Sequence, residues 1–322
     1  LVKEKAKQPQ ICKAENMSIK NISFEQMCKI WLKECELKNK QSTIARYNGI
    51  INKHLVPYFN NKIDRNTINS FVKYKTFQCK LSAKTVQDIT AVLIQILKYA
   101  ERESIIEPIN YDIIRPKIVK KELEVLTPSE QEVLINKIKQ NINQDNIGIL
   151  LSLYAGLRIG EICALQWKDI DLKNGIISIT KTMQRISVSN QEHKTQIIID
   201  TPKSQKSVRT IPIPDFLLPE LKRLSFCCSS NAFVLTGSDK RFIEPRSYQY
   251  KFKKILESSK IRNINFHALR HTFATRAVEQ NIDIKTLSEI LGHSTVGFTL
   301  DRYVHPSFEL KKQSIEKLVA CY

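Results

Sequence analysis

The sequence predicts a mainly α protein of two domains, a four-helix domain followed by a mostly helical domain with one small antiparallel sheet. Three observations lead there. Apolar residues recur at helical spacing through the first hundred residues with no strand signal between them. β-Branched, alternating segments are confined to residues 175–213. And 322 residues, 42% of them hydrophobic, suffice for two cores at roughly 150 residues per domain.

Residues 1–20 are Lys-rich and aperiodic, a tail ahead of a first domain set at 21–106. Phe24, Met27, Cys28, Trp31 and Leu32 form the first helical stripe. Ser42 stands as N-cap of a second helix with Ile44, Tyr47, Ile50, Ile51, His54 and Leu55 along one side and Pro57 near its end. A shorter helix covers Asn66 to Phe77. Ser82 then caps a long one striped by Val86, Ile89, Val92, Leu93, Ile96, Leu97 and Ala100. Over 107–124 the pattern breaks at Pro108 and Pro116, and Lys117, Lys120 and Lys121 follow. This stretch reads as an interdomain linker, too charged to be buried.

The second domain, 125–322, opens on Thr127, Pro128 and Glu130, a capping box with proline at the first helical position. A buried helix follows at Ile147 to Tyr154, then a break at Gly156 and a helix from Arg158 to Leu165. Gly175 to Thr182, Gln196 to Asp200 and Val208 to Ile213 read as strands, with Arg185 to Val188 also strand-like, and Pro212 and Pro214 end the sheet. Helices return at Tyr248 to Glu257, His267 to Glu279, Ile284 to Leu291 and Phe308 to Val319.

Fifty-one Lys and Arg against 32 Asp and Glu give a net charge of +19, which points to a polyanionic partner, nucleic acid first. Residues 1–120 hold 22 basic against 11 acidic residues, yet keep helical periodicity, so the excess reads as a basic face on a folded domain. No apolar run approaches the roughly 20 residues a membrane span needs; the longest, Ile147 to Leu157, includes Ser152, Tyr154 and Gly156. Eight cysteines without a C-x-x-C pair support neither a disulfide scaffold nor a zinc ribbon. With no signal-peptide pattern, free thiols in a reducing cytoplasm are expected.

Three segments carry residues capable of chemistry. They are Ala155-Gly156-Leu157-Arg158-Ile159-Gly160-Glu161, then His267-Ala268-Leu269-Arg270-His271, then Leu291-Gly292-His293 with Tyr303 ten residues beyond the histidine. Each is weak alone. His267 and His271 stand at i, i+4, a spacing zinc helices use, but Ala268 occupies the place where a metalloprotease helix has glutamate.

Together, in this order and spacing, the segments resemble the tyrosine recombinases, the phage-type integrases, over nearly the whole chain. The run Thr201 to Pro212 is similar to integrases of Gram-positive conjugative transposons and related phages. The resemblance implies a SAM-like helical core-binding domain and a catalytic domain of the DNA breaking-rejoining fold, together a C-shaped clamp on duplex DNA. It implies Arg158 and Arg270 as the catalytic arginines, Glu161 as the acid supporting the first, and Lys203 as general acid. His267 becomes the base, His293 a further phosphate donor and Tyr303 the nucleophile. Extra strand-like residues between Thr182 and Thr201 leave Lys206 as the alternative to Lys203, and Tyr322 is the next candidate nucleophile.

The residue types suit that reaction. Guanidinium forks match phosphate oxygens bidentately and keep their charge. A tyrosine, with a free pKa of about 10, needs help losing its proton. A lysine among arginines has a lowered pKa and so donates a proton more readily to a poor leaving group. A 3′-phosphotyrosine retains the bond energy, so joining needs no ATP. Neither a metal nor a cofactor is expected; metal nucleases cluster carboxylates, and this set is cationic.

The resemblance further implies double-stranded recombination sites as partner and a homotetramer on DNA closed by exchange of the C-terminal helix. It also suggests an accessory excision factor, and, since the chain begins at Leu1, an arm-binding domain upstream. The rival readings are a type IB topoisomerase and a non-catalytic DNA-binding regulator on the same fold.

Overall fold

The computed structural model describes residues 22–59, 63–119, 122–188, 195–202, 205–304, 312, 315 and 316. The chain divides at about residue 120 into two compact units.

The described residues of the first unit form four helices. Helix α1 (Phe24–Lys38) starts on a capping box in which Ser23 and Gln26 exchange hydrogen bonds, and it buries Phe24, Met27, Cys28 and Trp31. Helix α2 (Gln41–Ile50) runs on into a π-helical turn at Ile51–Leu55, and α3 (Arg65–Lys73), capped by Asp64, into another at Tyr74–Gln78. Helix α4 (Ala83–Arg102), capped by Ser82, buries the whole expected stripe from Val86 to Ala100. Ser42 is not the cap of α2. Helix α1 reaches Lys38, well past its apolar stripe, so only Asn39 and Lys40 remain for the turn, and α2 starts at Gln41 with no side-chain cap.

The stretch read as an exposed linker packs on this unit as far as Pro116. Ile113 is buried, and Ile105, Ile106, Ile109 and Tyr111 lie against the same core. Arg65 pairs with Asp112 at 2.6 Å, Asn69 Oδ1 accepts from the Ile114 amide, and Gln87 donates to the Pro116 carbonyl. Counting charges hid the apolar residues spaced between them, which give the segment one face to bury.

The second unit begins with α5 (Pro128–Lys139), capped as expected by Thr127 and Glu130. Helix α6 (Ile147–Ala155) is buried at every position but Tyr154 and lies at the centre of the core, packed against α10 (His267–Glu279). Gly156 ends it in the left-handed region, φ 66°, and α7 (Ile159–Ala164) follows.

Where one sheet was expected, the described residues form two. Strands β1 (Ile170–Asp171), β2 (Ile176–Ile179) and β5 (Arg209–Pro212) form an antiparallel sheet in the order β1-β2-β5, with Ile177 opposite Ile211. Strands β3 (Thr182–Ser187) and β4 (Thr195–Asp200) form a sheet of their own. The extra length between Thr182 and Thr201 thus pairs with itself, leaving β2 to pair with β5.

Helix α8 (Leu218–Ser225), unanticipated, follows the sheet, and then come α9 (Pro245–Ser258), α10, α11 (Ile284–Leu291) and α12 (Val296–Tyr303). The helix expected at Phe308 to Val319 lies outside the described residues except for Lys312, Ile315 and Glu316, which are helical. Among the described residues no helix is long and apolar enough to cross a membrane.

Candidate active site

Two helix ends set the frame. Gly156 after α6 and Gly292 after α11 both take positive φ, 66° and 63°. A side chain there would be strained, and a Cβ would stand 2.8 Å from the Phe273 ring or 2.9 Å from Arg209 Cδ respectively. These turns bring Arg158 and His293 back toward the N-terminal half of α10.

Arg158 precedes α7. Its Nη1 donates to Glu161 Oε1 at 2.7 Å and its Nη2 to the Gly292 carbonyl at 3.3 Å, while a third of the side chain stays open to solvent. Glu161 is buried and also receives Arg209, the first residue of β5, through two bonds of 3.0 Å. Burial pushes the Glu161 carboxyl up, but Arg209 and Arg158 outweigh it and hold it down at about 2.

Arg270 is almost wholly buried on α10. Its guanidinium donates to the Gly156 carbonyl at 2.7 Å and to the Leu291 carbonyl at 2.6 Å, at the C-terminal ends of α6 and α11, where the helix dipoles favour a cation. His267 opens α10, and its ring meets that of His271 edge-on at 4.4 Å. His293 Nδ1 lies 2.7 Å from Thr299 Oγ1, and its ring is parallel to that of Tyr303 at 6.3 Å. Burial first, then the surrounding arginines, push His267 to about 4 and His293 to about 3. Both rings are therefore neutral at pH 7.

Tyr303 ends α12 and is buried. Burial raises its hydroxyl pKa, opposed by the charges of Arg270, Arg302 and Arg158. Its oxygen lies 2.7 Å from Nδ1 of His271, so the histidine nearest the hydroxyl is not His267. Arg158, Glu161, His267, Arg270, His293 and Tyr303 are thus gathered from four parts of the chain. Lys203 lies outside the described residues. Lys206, exposed, donates to the Ser294 carbonyl at 2.9 Å. Sequence reasoning missed three members of the cluster: Arg209, His271 and Arg302. The spacing of His271 from His267 was visible but suggested only a metal, and among the described residues no group of three or more His, Cys, Asp or Glu stands ready to hold one.

Residues 124–309 match the phage integrase family and residues 23–75 its N-terminal SAM-like domain. The chain belongs to the phage integrase family. It is 27% identical to a XerC-like tyrosine recombinase of Caldanaerobacter subterraneus over 94% of this chain and 84% of that one. It is 28% identical to the ICEBs1 integrase of Bacillus subtilis over 93% and 83%. In fold it is similar to the integrase of the transposon Tn1549, solved in complex with circular intermediate DNA. There the TM-score is 0.72 at 22% identity, covering 92% of this chain and 100% of that one.

Proposed function

We propose that this protein is a site-specific DNA recombinase that cuts and rejoins strands through Tyr303 to integrate and excise a mobile element. The observation that carries the reading is the cluster itself: a buried tyrosine within the field of Arg158, Arg270 and Arg302, with no carboxylate but Glu161 among the described site residues, and that one tied to two arginines. Three arginines concentrate positive charge around the hydroxyl, which suits an anionic phosphate beside it.

In this reading the Tyr303 oxygen attacks phosphorus while Arg158 and Arg270 neutralise the non-bridging oxygens and His293 donates a further hydrogen bond. His267, neutral at pH 7, takes the phenolic proton. The bond to the 5′ oxygen breaks, and Lys203 supplies that oxygen with a proton. A 5′ hydroxyl from the partner strand then attacks the phosphotyrosine, giving its proton to Lys203, and the bond to Tyr303 breaks as His267 returns the phenolic proton. Glu161 orients Arg158 and takes no part in proton transfer, being ionised throughout the neutral range.

The basic first unit supplies phosphate contacts. We further propose a homotetramer on DNA, joined by exchange of the C-terminal segment, with an accessory factor for excision, acting in the cytoplasm. The family relatives that are integrases and transposases, among them the ICEBs1 integrase and the transposase of Tn916, support the mobile-element assignment.

The test uses two circular plasmids, one with a pair of recombination sites and one with none. The proposal expects recombinant circles from the first and negligible relaxation of the second. Efficient relaxation of the second marks a topoisomerase. Binding with no strand breakage on either marks a regulator.

A further inference from the structure

His271 touches the atom that the proposed reaction makes nucleophilic, yet no step above uses it. It is the fifth residue of α10, 6% exposed, with Nδ1 2.7 Å from the Tyr303 oxygen. Its other nitrogen, Nε2, lies 3.4 Å from Nη2 of Arg302, the residue beside the tyrosine on α12.

A neutral imidazole carries one N–H and one lone pair, whereas a guanidinium has only donors. With Arg302 facing Nε2, the lone pair belongs there and the proton on Nδ1, aimed at the tyrosine oxygen. The opposite tautomer would set an N–H against a cation. The doubly protonated form is also disfavoured: burial, and then His267, Arg302 and Arg270, push His271 down to about 3.

We infer that His271 is a positioning residue for the nucleophile, donating a hydrogen bond from Nδ1 to the Tyr303 oxygen, with Arg302 holding it in that tautomer. This rests on Tyr303 being the nucleophile. It assigns His271 a role opposite to that of a base. The phenolic proton leaves toward another acceptor, in keeping with His267, and the bond from His271 strengthens as the oxygen becomes charged. It also explains how a buried tyrosine, whose pKa burial raises, is kept reactive. The groups that bear on Tyr303 are Arg270 and His271 from α10, Arg302 from α12, Arg158 before α7 and the parallel ring of His293 after α11. Those that bear on His271 are His267, Arg270, Arg302 and Tyr303.

The test measures single-turnover formation of the covalent adduct by the full chain across pH. The substrate is a nicked suicide duplex built on the sequence that the Tyr303→Phe chain selects from a random pool. His271→Leu removes the donor and is expected to cleave roughly 10- to 100-fold more slowly, with unchanged DNA binding and the rising limb of its pH profile moved to higher pH. His271→Asn, whose side-chain amide puts a donor near the place of Nδ1, is expected to recover most of the rate and the original profile. Arg302→Leu, at an exposed position, frees the tautomer and is expected to slow cleavage about tenfold, whether or not His271→Leu folds.

Unaltered rate and profile in His271→Leu, or in Arg302→Leu, overturn the inference. So does a His271→Asn that is as slow as His271→Leu at equal thermal stability, which marks a packing role. Absence of adduct from the unaltered chain overturns the recombinase reading, whereas adduct there with no effect of these variants overturns only the role of His271.

Discussion

Replacing Glu161 by glutamine tests whether one buried carboxylate organises the arginines. Glu161 accepts from the Arg158 side chain at 2.7 Å, from the Arg158 amide at 2.9 Å and from Arg209 twice at 3.0 Å, with 2% of its side chain exposed. Glutamine has one oxygen, and its NH2 would face a guanidinium. The Glu161 carboxyl is held down from the ordinary 4.5 to about 2, a displacement that corresponds to roughly 3 kcal/mol of stability. Breaking a buried ion pair from one side costs a similar amount, about 3–5 kcal/mol.

The sign follows from the depressed value. The contribution is complete above the unfolded carboxyl's pKa and is lost as pH falls from about 5 toward about 2. At low pH the protonated carboxyl resembles the amide, so the gap between the two proteins closes. The chain's two tryptophans separate its units: Trp31 lies in α1 and Trp167, 6% exposed, follows α7. In a Trp31→Phe background, urea unfolding followed by Trp167 fluorescence therefore reports the second unit. Glu161→Gln is expected to lose roughly 3 kcal/mol at pH 7, and less at each step below pH 5. A loss under about 0.5 kcal/mol at pH 7, or a gap that stays constant down to pH 3, would refute the argument.

Three further outcomes are expected. Lys203→Ala slows cleavage of ordinary DNA, and a substrate with sulfur at the 5′ bridging position restores much of the rate, measured as adduct per minute; the same rescue in Lys206→Ala instead moves the general acid to Lys206. DNA affinity, measured by anisotropy between about 50 and 200 mM salt, falls with a log–log slope of about −0.9 per phosphate neutralised, and a flat response would contradict phosphate-dominated binding. Deleting residues 308–322 leaves half-site binding near normal and impairs synapsis and recombination, read by native gels; a truncated chain that assembles normally removes the tail from the coupling.

The parts of this fold that were legible in the sequence are those whose signals are local. Of the three caps expected, Ser82 and Thr127 form, whereas Ser42 lies inside its helix. Gly156 as the end of α6 was readable because a buried helix ran directly into it. The apolar face of residues 105–113 was not readable, because extended chain packed along a helical core shows neither helical nor strict strand period.

The site divides in the same way. Arg158, His267, Arg270, His293 and Tyr303 stand in ordered short motifs, whereas Arg209 becomes meaningful only when β5 lies beside α11 and presents it to Glu161. His271 was in plain view one residue past Arg270. Its partner, 32 residues downstream, depends on how α12 packs against α10, which no spacing rule encodes.

In the proposed reaction the Tyr303 oxygen forms the covalent bond to DNA, and mass spectrometry of the protein–DNA adduct after nuclease and trypsin digestion tests this at the residue itself. Trypsin cuts after Arg302 and Lys311, so a nucleotide-bearing peptide running from Tyr303 to Lys311 is expected, absent in Tyr303→Phe. A modified peptide ending at Tyr322, or an adduct that persists in Tyr303→Phe, would contradict it.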